Sequence, residues 1–387
     1  DLRMSRGLGD VYKRQVYTDD VKDSVASYGD AAIVVLSRIG GEGADLDFKE
    51  TNYLALDDNE KEMLQNVAEM KKAGQVKKIV VLINSANTLQ VDFLKNNEYD
   101  VDACMWIGDV GISGINAVAE ILAGNVTPSG SLVDTYLYDN FSAPAMMNFV
   151  PTVYEGYEEG IIPEHAKTYM IYQEGIYVGY KYYETRYADT VLGQGNASDS
   201  VGSSTGGAWT YDSEVSYPFG YGLSYTTFTQ TLDSLNVDLE KKTVTAEVTV
   251  TNTGDVAGKD VVQLYASTPY TDYDKEHLVE KAAVQLLDYE KTDELAPGES
   301  TKVTITADAQ DMASWDSTAA NEAGTTGNYI LDAGDYYFTI GNGAHDAVNN
   351  VLAAQGYSES NGMTSAGDAV NVKSWNLAAM DLSLIHI

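Results

Sequence analysis

Cysteine is almost missing from this chain: Cys104 is the only one, which excludes an intrachain disulfide framework and a thiolate cage for a metal. Basic residues are scarce too. Lys and Arg number 24 against 58 Asp and Glu, giving a formal net charge of −34 and a pI near 4.2. Such a surface repels polyanions over most of its area and argues against nucleic acid or an anionic membrane as partner. No apolar run approaches the roughly 20 residues that a bilayer-spanning helix needs. Histidine is sparse, and His165, His277 and His345 are far apart with neither Cys nor paired-His spacing. The sequence therefore predicts no metal site and reads these three as surface histidines.

What is present suffices for ordinary cores. The 387 residues are 44% hydrophobic and 10% aromatic, enough for two or three globular domains. The two ends read differently from the rest. Residues 1–15 carry Arg3, Arg6, Lys13 and Arg14 in an otherwise acidic chain and have neither the apolar stretch nor the cleavage site of a signal peptide. Together with Leu382-Ser383-Leu384-Ile385-His386-Ile387 they resemble translated sequencing-adapter read-through, so 1–15 and 382–387 are expected to be foreign and the chain to be a fragment.

Residues 16–228 alternate between strand and helix signals. Apolar runs predict strands over 31–36, 78–83 and 103–107. Met63, Val67 and Met70 fall at helical spacing within 60–72, Gly74 stops that helix, and a second amphipathic helix is expected over 112–122. Short apolar strands between helices imply an α/β domain with a mainly parallel sheet covered on both faces. At the end of its first strand lies Gly40-Gly41-Glu42-Gly43-Ala44-Asp45. Ligands collect outside the carboxyl ends of such strands, and the glycines free the backbone there, which makes Glu42 the first candidate for chemistry. An acid in a glycine-rich loop is more often a solvated turn residue, and the spacing alone leaves both readings open.

From about 229 the period changes to two. Val244, Ala246, Val248 and Val250 alternate with Thr245, Glu247 and Thr249, and Asn252-Thr253-Gly254-Asp255 supplies a turn. Similar alternation at Val262 and Leu264 and at Val303 and Ile305 predicts an all-β sandwich over 229–350, with Tyr336-Tyr337-Phe338-Thr339-Ile340 as its last strand. Residues 351–381, rich in Ser, Gly, Asn and Ala, read as linker.

Five separated segments resemble glycoside hydrolase family 3, the exo-acting β-glucosidases and β-xylosidases. They are Ser37-Arg38-Ile39-Gly40-Gly41-Glu42-Gly43; Trp106-Ile107-Gly108; Pro128-Ser129-Gly130; Glu174-Gly175-Ile176-Tyr177-Val178-Gly179-Tyr180-Lys181-Tyr182-Tyr183; and Tyr217-Pro218-Phe219-Gly220-Tyr221-Gly222-Leu223-Ser224-Tyr225-Thr226. Residues 16–228 resemble that family's α/β-sandwich domain, and 229–350 its fibronectin type III-like module. The resemblance implies retaining hydrolysis of a terminal β-glycosidic bond in an oligosaccharide or β-glycoside, without a cofactor. In the family the nucleophile is an aspartate on a (β/α)8 barrel, and in many members the acid/base glutamate reaches over from a loop of the α/β domain. Glu42 matches that glutamate, while Arg38 and Asp45 flank it and are candidates to orient it, to touch substrate or to form a loop salt bridge.

No nucleophile segment is visible. Ser314-Trp315-Asp316 has the wrong order for the family's Ser-Asp-Trp-like run and reads as structural, so the barrel is expected to be missing from this sequence. The polar stretch after 356 resembles the bridge of members with inverted domain order, which places the barrel on the carboxyl side. There are departures from the family. Asp109-Val110-Gly111-Ile112-Ser113-Gly114 replaces the usual Pro-Gly-Gln-Glu-Gly, Ser131 stands where a basic residue is expected, and Leu46 where an arginine is common. The 108–114 segment also lacks the Gly-Lys-Ser/Thr ending of a phosphate loop. The alternatives are a non-catalytic carbohydrate-binding or surface adhesion protein and a flavodoxin-like ligand-binding domain.

Overall fold

The computed structural model describes residues 23, 27–38, 53–149, 152–161, 163, 166–321 and 324–382. The chain divides into two compact units, Asp1–Ala123 with Tyr136–Tyr138, and Gly124–Thr135 with Asp139–Ile387.

In the first unit β1 (Ala31–Ser37), β2 (Lys78–Asn84) and β3 (Ala103–Trp106) form a parallel sheet in the order β1-β2-β3, with Ala31 opposite Lys78 and Ser37 opposite Asn84. Parallel neighbours need a crossover. Helix α1 (Asp58–Lys72) lies in the connection from β1 to β2. Its start is set by a capping box, in which the Asp57 side chain accepts from Glu60 N while the Glu60 side chain accepts from Asp57 N. Its end carries Lys71 and Lys72 and is followed by Gly74 at φ +73°, a left-handed turn that other residues adopt at a cost. The buried stripe is Leu64, Val67 and Met70. Leu64 thus takes the inward place expected for Met63, which is half-buried one position earlier.

Coverage of the sheet also differs from expectation. β2 is the buried strand, with Ile79 and Val81 fully inside, but β1 alternates: Val34 and Leu36 are buried while Ile33 and Val35 are 52% and 48% exposed. One face of β1 meets the core, so its continuous apolar run does not report burial on both sides. Helix α2 (Gly111–Leu122) occupies the second predicted helix, and Val118 is its one buried residue.

In the second unit helix α3 (Tyr180–Leu192) precedes the sandwich. The strands are β4 (Phe228–Asp238), β5 (Thr243–Asn252), β6 (Val261–Ser267), β7 (Gln285–Lys291), β8 (Ser300–Asp308), β9 (Ser314–Ala320), β10 (Thr326–Ile330), β11 (Gly334–Gly341) and β12 (Val372–Leu377). One sheet runs β8-β5-β4 and the other β7-β6-β11-β12, while β9 and β10 form a separate hairpin. The alternation read from β5 is the core: Val244, Ala246, Val248 and Val250 pack with Val262, Leu264, Val303, Ile305, Phe338 and Ile340. Each of these valine, leucine, isoleucine and phenylalanine side chains contributes roughly 1.5–3 kcal/mol through burial.

The contacts divide the chain near residue 124 and group 139–228 with the sandwich. The reason lies in α3 and the segment before it. The Tyr180 hydroxyl accepts from Leu286 N at 3.1 Å, Thr185 Oγ1 accepts from Ala283 N at 2.9 Å, and the Tyr177 hydroxyl donates to the Lys281 carbonyl at 3.2 Å. Of the Tyr-Lys-Tyr-Tyr run, Tyr180 thereby binds strand β7 at Leu286.

The expected linker over 351–381 is corrected. Helix α4 (Ala344–Ala354) reaches into it, and β12 pairs antiparallel with β11 from Gly334 opposite Leu377 to Thr339 opposite Val372. Trp375 meets Tyr336 edge-on with centroids 5.2 Å apart, and the Asn371 side chain accepts from Leu232 N at 2.8 Å and donates to the Gln230 carbonyl at 3.1 Å. Polar composition hid the strand because its partners come from β4 and β11. β12, rather than 336–340, is the last strand, so this stretch gives no support to a barrel on the carboxyl side.

Two measurements test this description. Trp375→Ala should lower the stability of the second unit by about 1–3 kcal/mol in urea unfolding, since a half-buried indole leaves the sandwich; a linker residue would leave the midpoint unchanged. In α3, burial pushes the Asp189 carboxyl up to about 6. A raised acid contributes stability that is full below its unfolded value of about 3.8 and is lost as pH rises through about 6. Asp189→Asn should therefore match the parent near pH 4 and exceed it at pH 7 by on the order of 1–2 kcal/mol.

Candidate functional site

The carboxyl edge of the parallel sheet is closed by short-range bonds. Arg38 N donates to the Asn84 carbonyl at 3.3 Å, and Ile107 N to the Ile83 carbonyl at 2.9 Å, which extends the ladder past the strands. The Trp106 indole N–H donates to the Ser85 carbonyl at 2.7 Å, and Ser85 Oγ accepts from Asn87 N at 3.0 Å. Gly108 turns the chain at φ +55°, where a Cβ would also lie 3.3 Å from the Trp106 ring.

Arg38 stands at this edge, 7% exposed. Its guanidinium is shared among five acceptors. Nη1 donates to Glu60 Oε1 at 2.6 Å and to the Ser37 carbonyl at 2.8 Å; Nη2 donates to Glu60 Oε2 at 2.7 Å and to the Ala55 carbonyl at 2.8 Å; Nε donates to the Tyr53 carbonyl. The Tyr53 ring lies under the guanidinium at 5.3 Å. Burial works against the charge, yet the Glu60 carboxylate outweighs it and holds the guanidinium above its ordinary range. Glu60 is itself fixed, because Oε2 also accepts from Asp57 N at 2.9 Å. All five N–H groups of the fork are thus occupied by protein acceptors.

Of the three site residues read from the sequence, Arg38 is placed here, and Glu42 and Asp45 lie outside the described residues, as does Leu46. Glu60 was missed. Its signal was present, since Asp57-x-x-Glu60 has capping-box spacing, but that spacing names a helix start and not a partner for Arg38.

Elsewhere Ser314-Trp315-Asp316 is structural: it opens β9, and buried Asp316 accepts from the Tyr273 hydroxyl at 2.6 Å and from Thr318 N at 2.7 Å. His345 is no surface histidine. Its Nδ1 lies 2.8 Å from Glu184 Oε2 and its Nε2 2.7 Å from Thr364 Oγ1, and the ring stacks on Tyr211 at 3.8 Å. Glu184 is fully buried and also accepts from the Tyr211 hydroxyl at 2.6 Å. Positions 184 and 345 are too distant in the chain for spacing to link them. His277 stacks on Tyr273 with its Nδ1 2.6 Å from Thr318 Oγ1, and His165 lies outside the described residues. No group of three or more His, Cys, Asp or Glu among the described residues is arranged to hold a metal.

Comparison with known proteins gives two family matches. The profile of the glycosyl hydrolase family 3 C-terminal domain matches residues 8–180, and that of the fibronectin type III-like domain matches residues 260–344. The chain is 32% identical over 332 residues to a β-glucosidase of Ruminococcus albus, covering 85% of this chain and 29% of that protein. It is 33% identical over 366 residues to β-glucosidase A of Butyrivibrio fibrisolvens, covering 86% of this chain and 38% of that protein. The chain thus spans about a third of the length of these relatives. The fold is similar to that of a β-glucosidase from Paenibacillus barengoltzii, with a TM-score of 0.67 and 26% identity, covering 97% of this chain and 33% of that one.

The arginine pair has a testable energetic consequence. Glu60→Ala leaves a buried guanidinium without its counter-charge and should destabilise the first unit by about 3–5 kcal/mol in urea unfolding. Asp57→Ala, which removes the cap and leaves the ion pair, should cost only about 1 kcal/mol.

Proposed function

The chain belongs to glycoside hydrolase family 3, and from that premise we propose that it supplies the general acid/base of a retaining, exo-acting, β-glucosidase-like enzyme, with Glu42 in that role. The substrate is a terminal β-linked sugar on an oligosaccharide or other aglycone. Retention uses two carboxyl groups roughly 5 Å apart. In the first step the protonated Glu42 gives its proton to the glycosidic oxygen as the C1–O bond breaks and the nucleophile bonds to C1. In the second the Glu42 carboxylate takes a proton from water as the water oxygen attacks C1 and the enzyme ester bond breaks. One carboxylate cannot do both jobs, so the nucleophile on this reading is an aspartate of a (β/α)8 barrel in the same protein, outside this sequence.

The observation that supports the reading is chain position: β1 ends on the carboxyl edge of a parallel sheet, and Glu42 follows Arg38 by four residues, in the family's domain. The net charge of −34 does not oppose such a ligand, because a neutral sugar is indifferent to it.

Leaving-group dependence tests the role. In the protein with its barrel, Glu42→Ala should slow hydrolysis of glycosides with poor leaving groups by about 10²–10⁴-fold while sparing activated aryl glycosides, and azide should restore turnover. Equal losses on both substrates without an azide effect would remove Glu42 from the role. The 387-residue chain on its own should melt cooperatively, with or without chelator and reductant, and hydrolyse neither substrate.

A further inference from the structure

Three ionisable side chains of the second unit meet where water does not reach. Lys281 precedes β7, Asp332 stands between β10 and β11, and Asp274 belongs to a short helix over Asp272–His277; their side chains are 4%, 2% and 0% exposed. Lys281 Nζ donates to Asp332 Oδ2, to Asp274 Oδ2 at 2.9 Å and to the Pro269 carbonyl at 2.8 Å. Asp274 Oδ2 also accepts from Thr271 N at 2.6 Å and from Thr271 Oγ1 at 3.0 Å. Asp274 Oδ1 is different. It is buried and lies 2.8 Å from Nζ, yet among the described residues it accepts no aligned hydrogen bond.

One carboxylate would balance the ammonium, so the second leaves surplus negative charge in a site without solvent. Burial pushes the Asp332 carboxyl up; Lys281 works against that shift and Asp274 adds to it. Side by side therefore stand an amine, a carboxyl carbon for it to attack and a spare carboxylate oxygen to carry the proton.

We propose that Lys281 and Asp332 condense to an amide that crosslinks the sandwich, with Asp274 as the proton carrier. Asp274 Oδ1 takes a proton from the Lys281 ammonium and passes it to the Asp332 carboxylate, leaving a free amine beside a carboxylic acid. The Nζ lone pair bonds to Asp332 Cγ as the C=O pair moves onto oxygen. Asp274 then removes the extra proton from nitrogen and hands it to the departing hydroxyl; the C–O bond breaks, water leaves and the carbonyl re-forms. Ammonium and carboxylate become amide and water, and Asp274 ends as the carboxylate it began as. Three buried charges become one, which Thr271 N and Thr271 Oγ1 already hold. Fixing the two groups in contact is equivalent to an effective concentration of up to about 10⁵–10⁸ M, and a closed site keeps out the water that would reverse the step. Lys281 leads into β7 and Asp332 into β11, the strands on either side of β6, so the bond spans three strands of one sheet.

Intact mass tests this, because a salt bridge leaves the mass of the chain unchanged. Under denaturing conditions the full protein should be lighter than its sequence by one water. Trypsin does not cut after an acylated lysine, so peptides 276–291 and 303–373 should appear as one linked species, with fragmentation placing the link at Lys281 and Asp332. An unchanged mass overturns the crosslink. So does a lost water with the two peptides separate, which is the signature of an aspartate cyclised on its own backbone. Lys281→Arg, which keeps the charge but not the amine nucleophile, should have its full sequence mass. Asp274→Asn, which keeps the shape but not the base, should also retain the water; a complete link in that variant overturns the role of Asp274. The parent measurement stands by itself if either variant does not fold.

Discussion

A guanidinium buried at the end of a strand must have its charge and all of its donors met, and in the first unit this requirement organises everything around β1. Arg38 follows the last residue of the strand, where water is excluded, and the isolated charge would cost several kcal/mol. Glu60 meets the charge, and the carbonyls of Ser37, Tyr53 and Ala55 meet the remaining donors. Those acceptors belong to the exit of β1, to the returning chain and to the start of α1. Satisfying one side chain thereby fixes three pieces of backbone.

The capping box makes the arrangement economical. Glu60 is needed at the third position of α1 to cap the helix, and the same carboxylate is the counter-ion of Arg38. Helix start and strand end are thus coupled through two oxygens. The parallel pairing of β1 with β2 sets the orientation, since Ser37 faces Asn84 at the carboxyl edge and Arg38 N continues the ladder to the Asn84 carbonyl. Loops leaving such an edge carry chemistry in many α/β proteins because adjacent strands point their ends the same way.

The second unit is held by a different kind of constraint. Its sandwich closes through apolar side chains, and its polar residues act as local fasteners. Asn371 ties the last strand region to β4, while Glu184, Tyr211, His345 and Thr364 tie α3 to α4 and to the segment beyond it. A fully buried Glu184 is tolerable because His345 and Tyr211 both lie within hydrogen-bond distance of its carboxylate. The residues that most resemble the family, around Tyr180 and Tyr217–Tyr225, belong to this unit, where Tyr180 meets Phe219 at 4.7 Å and Tyr217 meets Tyr221 at 4.9 Å. They report the family through packing.

Periodicity in the sequence determined the elements themselves: the strands from Ala31, Lys78 and Ala103, the helices that follow the first and third of them, and the two-residue alternation of β5, because burial of one face writes itself into local spacing. Several features were decided only by tertiary structure. Ile33 and Val35 stand on an exposed face although their run looks fully buried, Val372–Leu377 becomes a strand although its neighbourhood looks like linker, and His345 enters a buried network although nothing near it in sequence suggests one. Arg38 belongs with these. Its acceptors at 53, 55 and 60 are brought to one guanidinium only by the folded chain. Hydrogen-bond partners distant in the chain leave no period in the sequence, so pairing of this kind is settled by the fold.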